Sequence, residues 1–100
     1  MKPDSDIALE RVQSETLGAL LSIQSYREVD AGYFERLRSA VTDAVAFFSE
    51  EERVPPALLS ELTQSANILR NEATAFPGRT AACLEMADWL EAQERVLARD

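Results

Sequence analysis

Residues 30–48, DAGYFERLRSAVTDAVAFF, decide the fold. Phe34, Leu37, Val41, Ala44, Val45 and Phe48 recur at i, i+3, i+4 and i+7, which at about 100° per residue sets them in one stripe along a helix. So bulky a stripe has to be covered by other parts of the chain. Tyr33, Ala40 and Phe47 widen it by about 80 to 100° beyond Phe34 and Leu37. These two aromatics read first as packing against a third element, and second as partly exposed anchors for a partner. Asp30 stands where an N-cap belongs, so the helix is expected over residues 30–48.

Working outward, residues 5–27 form the preceding helix, with Asp4, Ser5 and Asp6 supplying cap oxygens and negative charge at the positive end of its dipole. Its stripe is Leu9, Val12, Thr16, Leu20 and Ile23, but Leu17 and Leu21 fall about 80 to 120° away from Leu9. One neighbouring layer does not cover all of them, which makes Leu17 and Leu21 candidates for a partner contact. Ser14, Gly18 and Ser22 repeat at i, i+4 and i+8, and no charge occurs between Thr16 and Tyr26. This ridge reads first as a weakly polar solvent face. The competing reading is a close helix-to-helix approach, within the chain or across a dimer. The short connection at 27–30 makes the first two helices antiparallel neighbours.

Downstream, Ser49 and Glu52 occupy the S-x-x-E positions of a capping box, so a separate turn is expected to begin there. Glu50, Glu51 and Glu52 read first as a solvated surface, and more sharply as a docking point for a basic partner. Val54-Pro55-Pro56 marks a boundary, because the residue before each proline leaves the helical region and Pro56 suits the first position of a new helix. That third helix is expected over 56–75, with Leu58, Leu59, Leu62, Ala66, Leu69, Ala73 and Phe76 inward. Phe76-Pro77-Gly78 stops it. A fourth, over 81–98, follows a Thr80 cap and turns Cys83, Met86, Ala87, Leu90 and Leu97 inward, with Ala82, Trp89 and Val96 flanking. Glu91 and Arg95 sit at a favourable i, i+4 spacing. Trp89 reads first as core and second as a partner anchor.

Composition bounds what such a body does. Eighteen acidic against ten basic residues leave a net charge of −8, which repels phosphate backbones and anionic lipid, so neither nucleic acid nor membrane is expected as a partner. An acidic surface serves solubility first and steering toward a basic protein second. Cys83 is the only cysteine and histidine is absent, which removes disulfides and the usual general base and transition-metal ligand. At the centre of an apolar stripe, the Cys83 thiol reads as packing rather than as a nucleophile. With no apolar leader at the start and no run approaching the roughly 20 apolar residues of a membrane span, a soluble cytoplasmic protein is expected.

Only carboxylates are left for catalysis, through a cation such as Mg²⁺. Glu72, twelve intervening residues and Glu85-Met-Ala-Asp88 partly resemble the E-x-x-E…E-x-x-D pattern of the all-helical nucleotide pyrophosphohydrolases of the MazG type. That resemblance implies magnesium held by acids on paired helices. Leu69 stands where the first acid of the pattern belongs. Glu85 and Asp88 fall about 140 to 200° from Cys83, on the outer face of their helix, whereas acids that share a metal converge on one point. Catalytic residues, metal ligands and cofactors are therefore left unassigned.

The expectation is an all-α domain spanning residues 1–100, an antiparallel up-down-up-down four-helix bundle with short loops. It binds another, basic protein without catalysing a reaction, as an adaptor, inhibitor or immunity-type protein would. The alternatives are a homodimeric scaffold with its function at the dimer interface, and the MazG-like hydrolase.

Overall fold

Only three glycines and four prolines occur, no proline lying within a helix beyond its first position, which leaves long alanine- and leucine-rich runs free to form helix. The computed structural model describes residues 4–26, 31–51, 53–75 and 80–98. They form α1 (Asp4–Tyr26), α2 (Ala31–Phe48), α3 (Pro56–Ala75) and α4 (Thr80–Leu97), and no strand occurs among the described residues. Helix ends fall within one residue of expectation. Arg27, Asp30, Glu52, Phe76-Pro77-Gly78 and the capping side chains of Asp4, Ser5 and Thr80 lie outside the described residues.

Local chemistry explains the central connection. Backbone amides of Ser49, Glu50 and Glu51 donate to the carbonyls of Val45, Phe47 and Phe48, tightening the end of α2. Among the described residues 49–51 no fresh helical turn begins at Ser49. Its hydroxyl instead donates to the Ala46 carbonyl at 3.0 Å, so Ser49 closes α2 rather than opening a new turn. Pro55 then offers its carbonyl to the amides of Leu58 and Leu59, and Pro56, which has no amide hydrogen, starts α3 where none is needed.

The bundle consists of two antiparallel hairpins, α1 with α2 and α3 with α4, stacked so that α1 lies on α3 and α2 on α4. Among the described residues α1 does not approach α4, nor α2 approach α3, so the 49–55 link crosses the end of the bundle diagonally. The body measures 41 × 29 × 17 Å, its thinnest dimension that of two helical layers.

The α2 stripe lies at the centre, as its period requires: Phe34, Leu37, Val41, Ala44 and Phe48 are buried, together with Ala40. Val12, Leu20 and Ile23 of α1, Leu58, Leu62 and Leu69 of α3, and Cys83, Met86 and Leu90 of α4 close around them. Val96, expected beside the inner face of α4, is exposed. The buried residues include polar ones, Thr16 and Ser22 of α1 and Ser65 of α3. Partial burial pushes the nearby Glu61 carboxyl above its ordinary range, an effect the Ser65 hydroxyl one turn away partly reverses.

The Ser14-Gly18-Ser22 ridge divides. Ser14 is exposed, but Ser22 is buried and Gly18 lies under the Tyr33 ring, so this edge of α1 meets α2 rather than solvent. A Cβ at Gly18 would meet Tyr33 Cε1 at 3.4 Å, an ordinary contact. Gly18→Ala therefore gains helix propensity without a clash and is expected to raise stability by about 0.5–1 kcal/mol in a denaturant melt. Gly18→Leu would drive into the ring and is expected to lower it. If alanine destabilised instead, the Gly18–Tyr33 approach would have to be closer than this structure has it.

Candidate functional site

Two kinds of contact hold the helices beside α1 and α4, and they settle which side chains are left for a partner. Across the first hairpin Arg11 donates to Asp43 at 2.5 Å and to Ser39 at 3.2 Å, while Arg36 reaches Glu15 at 3.6 Å and lies 4.5 Å over the Tyr33 ring. Across the second, Arg70 of α3 forks onto both oxygens of Glu91 at 2.7 and 2.8 Å and onto Asp88 at 2.8 Å. The Arg70 guanidinium holds the Glu91 carboxyl below its usual range, and the two carboxylates raise the arginine in turn. Glu91, expected to pair along its own helix with Arg95, is thus committed across the hairpin. Arg95 contributes only a longer-range attraction.

Of the aromatic candidates, Tyr33 is taken up between Gly18 and Arg36. Trp89 is half-buried with the Arg38 guanidinium 5.1 Å over its ring, which ties α4 to α2. Phe47 differs. Its ring stands edge-on to buried Phe48, centroids 5.0 Å apart at 89°, and its other side forms the wall of a groove.

That groove lies between the N-terminal half of α1 and the C-terminal half of α2, has a volume of about 300 Å³, and is lined by Ile7, Ala8, Arg11, Ala40, Asp43, Ala44 and Phe47. Its shape follows from side-chain size. Three alanines leave the floor low while Ile7 and Phe47 stand up on either side, and the Arg11–Asp43 pair crosses one edge. One carboxylate, Asp43, lines it beside Arg11, and further exposed carboxylates lie next to its lining residues along the chain: Asp6 and Glu10 on α1, and Glu50 and Glu51 just beyond the last turn of α2. That last turn holds no basic residue, so the negative end of the helix dipole adds to the same field. An apolar depression with an anionic rim suits an apolar side chain flanked by cations.

Leu17 and Leu21 are not part of this groove. They stand exposed on the far side of α1, at 60% and 49%. Periodicity pointed to Phe47 and charge clustering to Glu50 and Glu51, but Ile7, Arg11 and Asp43 were missed. Ile7 was legible as the one large apolar residue in the first turns of α1 that falls off the stripe; Arg11 carried no signal beyond its charge.

The acids of the hydrolase-like pattern do not converge. Glu72 is half-buried, with Oε1 enclosed and without a hydrogen-bond partner among the described residues, whereas Glu85 and Asp88 are exposed on α4 and Asp88 is held by Arg70. Among the described residues no three His, Cys, Asp or Glu side chains cluster closely enough to hold a metal ion. None of the described helices is long and apolar enough to cross a membrane. No protein-family model matches the chain, and no curated protein or solved structure is similar enough to supply a relative.

Proposed function

We propose that this chain is a small non-catalytic module that binds a basic protein, acting in the cytoplasm as an adaptor, inhibitor or immunity-type protein. The observation that carries the reading is the α1–α2 groove, an apolar depression of about 300 Å³ with Asp43 in its lining and the exposed carboxylates of Asp6, Glu10, Glu50 and Glu51 near its residues along the chain. An apolar side chain of the partner enters between Ile7 and Phe47, and lysine or arginine residues beside it meet the carboxylate rim. Net charge of −8 draws such a partner in from a distance, so association is fastest at low salt. The apolar contact, which salt screens little, holds it once docked.

The test is capture from a cell lysate by three immobilised proteins: wild type, Ile7→Glu, and Glu50→Gln with Glu51→Gln. A basic protein retained by the wild type, absent from Ile7→Glu and washed off the double variant at lower salt is the expected result. Identical capture by all three, or retention of nothing by the wild type, overturns the reading. Ile7 is more than half exposed, so its replacement leaves the fold intact.

A further inference from the structure

A guanidinium already stands at the edge of the α1–α2 groove. Arg11 of α1 reaches across, donating from Nη1 to Asp43 Oδ2 at 2.5 Å and from Nη2 to Ser39 Oγ at 3.2 Å on α2. Ser39 and Asp43 are four residues apart, so one helical turn holds a hydroxyl and a carboxylate as neighbours. Two acceptors so placed match the prongs of a planar guanidinium, whereas an ammonium is a single point charge. Beside them lies the apolar floor of the groove, walled by Ile7 and Phe47. Arg11 is held there weakly. It engages one oxygen of Asp43, and the two side chains are 44% and 67% exposed. Ion pairs of that kind are screened by water and contribute little to stability. Arg70 is the contrast: it forks onto both oxygens of Glu91, and those two side chains are 32% and 35% exposed. The Arg70 fork is committed to the fold, while the Arg11 contact is open to exchange.

We propose that the groove selects arginine: an arginine of the basic partner, lying beside an apolar side chain, takes Asp43 and Ser39 from Arg11, which holds the place of that guanidinium until the partner arrives. This rests on the groove being the docking site and names what it recognises there. On docking, the incoming guanidinium donates to Asp43 and Ser39, its apolar neighbour enters between Ile7 and Phe47, and Arg11 turns out into solvent. A net charge of −8 favours bringing a second cation to this edge. Arg11 is then a competitor built into the chain. Its removal tightens binding, the opposite of what removal of a contact residue does.

The probe is hexylguanidinium, an apolar chain joined to a guanidinium, titrated into the isotope-labelled protein at low salt and followed by amide chemical shifts. Hexylammonium, a point charge, and hexylurea, planar but neutral, are its comparisons. Hexylguanidinium is expected to bind at about the millimolar level that so small a ligand allows, and several-fold tighter than either analogue. Its shifts should centre on Ala8, Ala40, Ala44 and Phe47. Arg11→Met keeps an apolar stem in the groove wall and removes the competitor, so it should tighten binding about two- to five-fold, the range that releasing an exposed ion pair gives. Asp43→Asn should reduce the affinity to that for hexylurea. Arg95→Met, exposed on α4, changes the net charge as Arg11→Met does but leaves Arg11 on Asp43, and should bind as the wild type does. All three variants replace exposed side chains, so the helical circular dichroism spectrum should be unchanged. Absence of binding, equal affinity for either analogue, or Arg11→Met binding no tighter than Arg95→Met overturns the proposal. The two readings fail separately. A lysate that yields no basic protein refutes the protein partner and leaves the titration standing, whereas specific capture alongside equal affinity for the three probes refutes the arginine assignment alone.

Discussion

Phe48→Ala is expected to lower the free energy of unfolding by about 4 kcal/mol, measured by urea denaturation monitored by circular dichroism. Phe48 is 2% exposed and among the largest fully buried side chains, at the end of α2 where the central stripe meets the diagonal link. Truncation removes its burial and leaves a cavity that the ends of two helices cannot readily collapse into. Against the 5–15 kcal/mol that holds a typical domain folded, this is a large share. The same ring also backs Phe47, edge to face at 5.0 Å, so the groove wall loses its support. Binding of a partner should weaken along with stability. A loss below about 1 kcal/mol would mean that the α2 stripe is not the centre of the core.

The second large effect comes from adding volume. Ala87→Leu is expected to cost about 2–3 kcal/mol, read from the same denaturant midpoint. Arg70 meeting Glu91 and Asp88 fixes the antiparallel register of α3 and α4, and that register sets Ala87 level with Ala73. Ala66, Ala73, Cys83 and Ala87 are all buried, a run of small side chains that lets these helices lie close. Ala87 is fully buried, so a leucine there adds volume inside the helix pair, displaces α4 and disturbs the fork of Arg70. Ala92, half-buried and away from the centre of the core, is the internal comparison: leucine there should change stability by less than about 1 kcal/mol. Equal costs at the two positions would contradict the packing described for the second hairpin.

Much of the fold was legible because helical period reports burial directly. Phe34, Leu37, Val41, Ala44 and Phe48 could be placed inside from spacing alone, and Pro56 located the start of α3 through its missing amide. What spacing does not report is which neighbour a face meets. Gly18 and Ser22 read as a solvent ridge until Tyr33 was seen over the glycine. Glu91 was paired with Arg95 because sequence separation makes only i, i+4 partners visible, while Arg70, twenty-one residues away, holds it. Of the candidate site, Phe47, Glu50 and Glu51 were recognisable as aromatic and acidic features. The groove itself was not, since its floor of Ala8, Ala40 and Ala44 consists of what those residues lack.

The arrangement of two locally closed hairpins bears on how the molecule comes into being. In each, the helices are joined by a connection of only four residues, 27–30 and 76–79, so most packing partners lie close along the chain and loop closure takes little entropy. Each hairpin can zip from its own turn without waiting for the other. The slow event is then the meeting of two partly formed halves where α1 packs on α3 and α2 on α4. A ribosome delivering this chain would release the first hairpin, groove included, before the second hairpin had fully emerged.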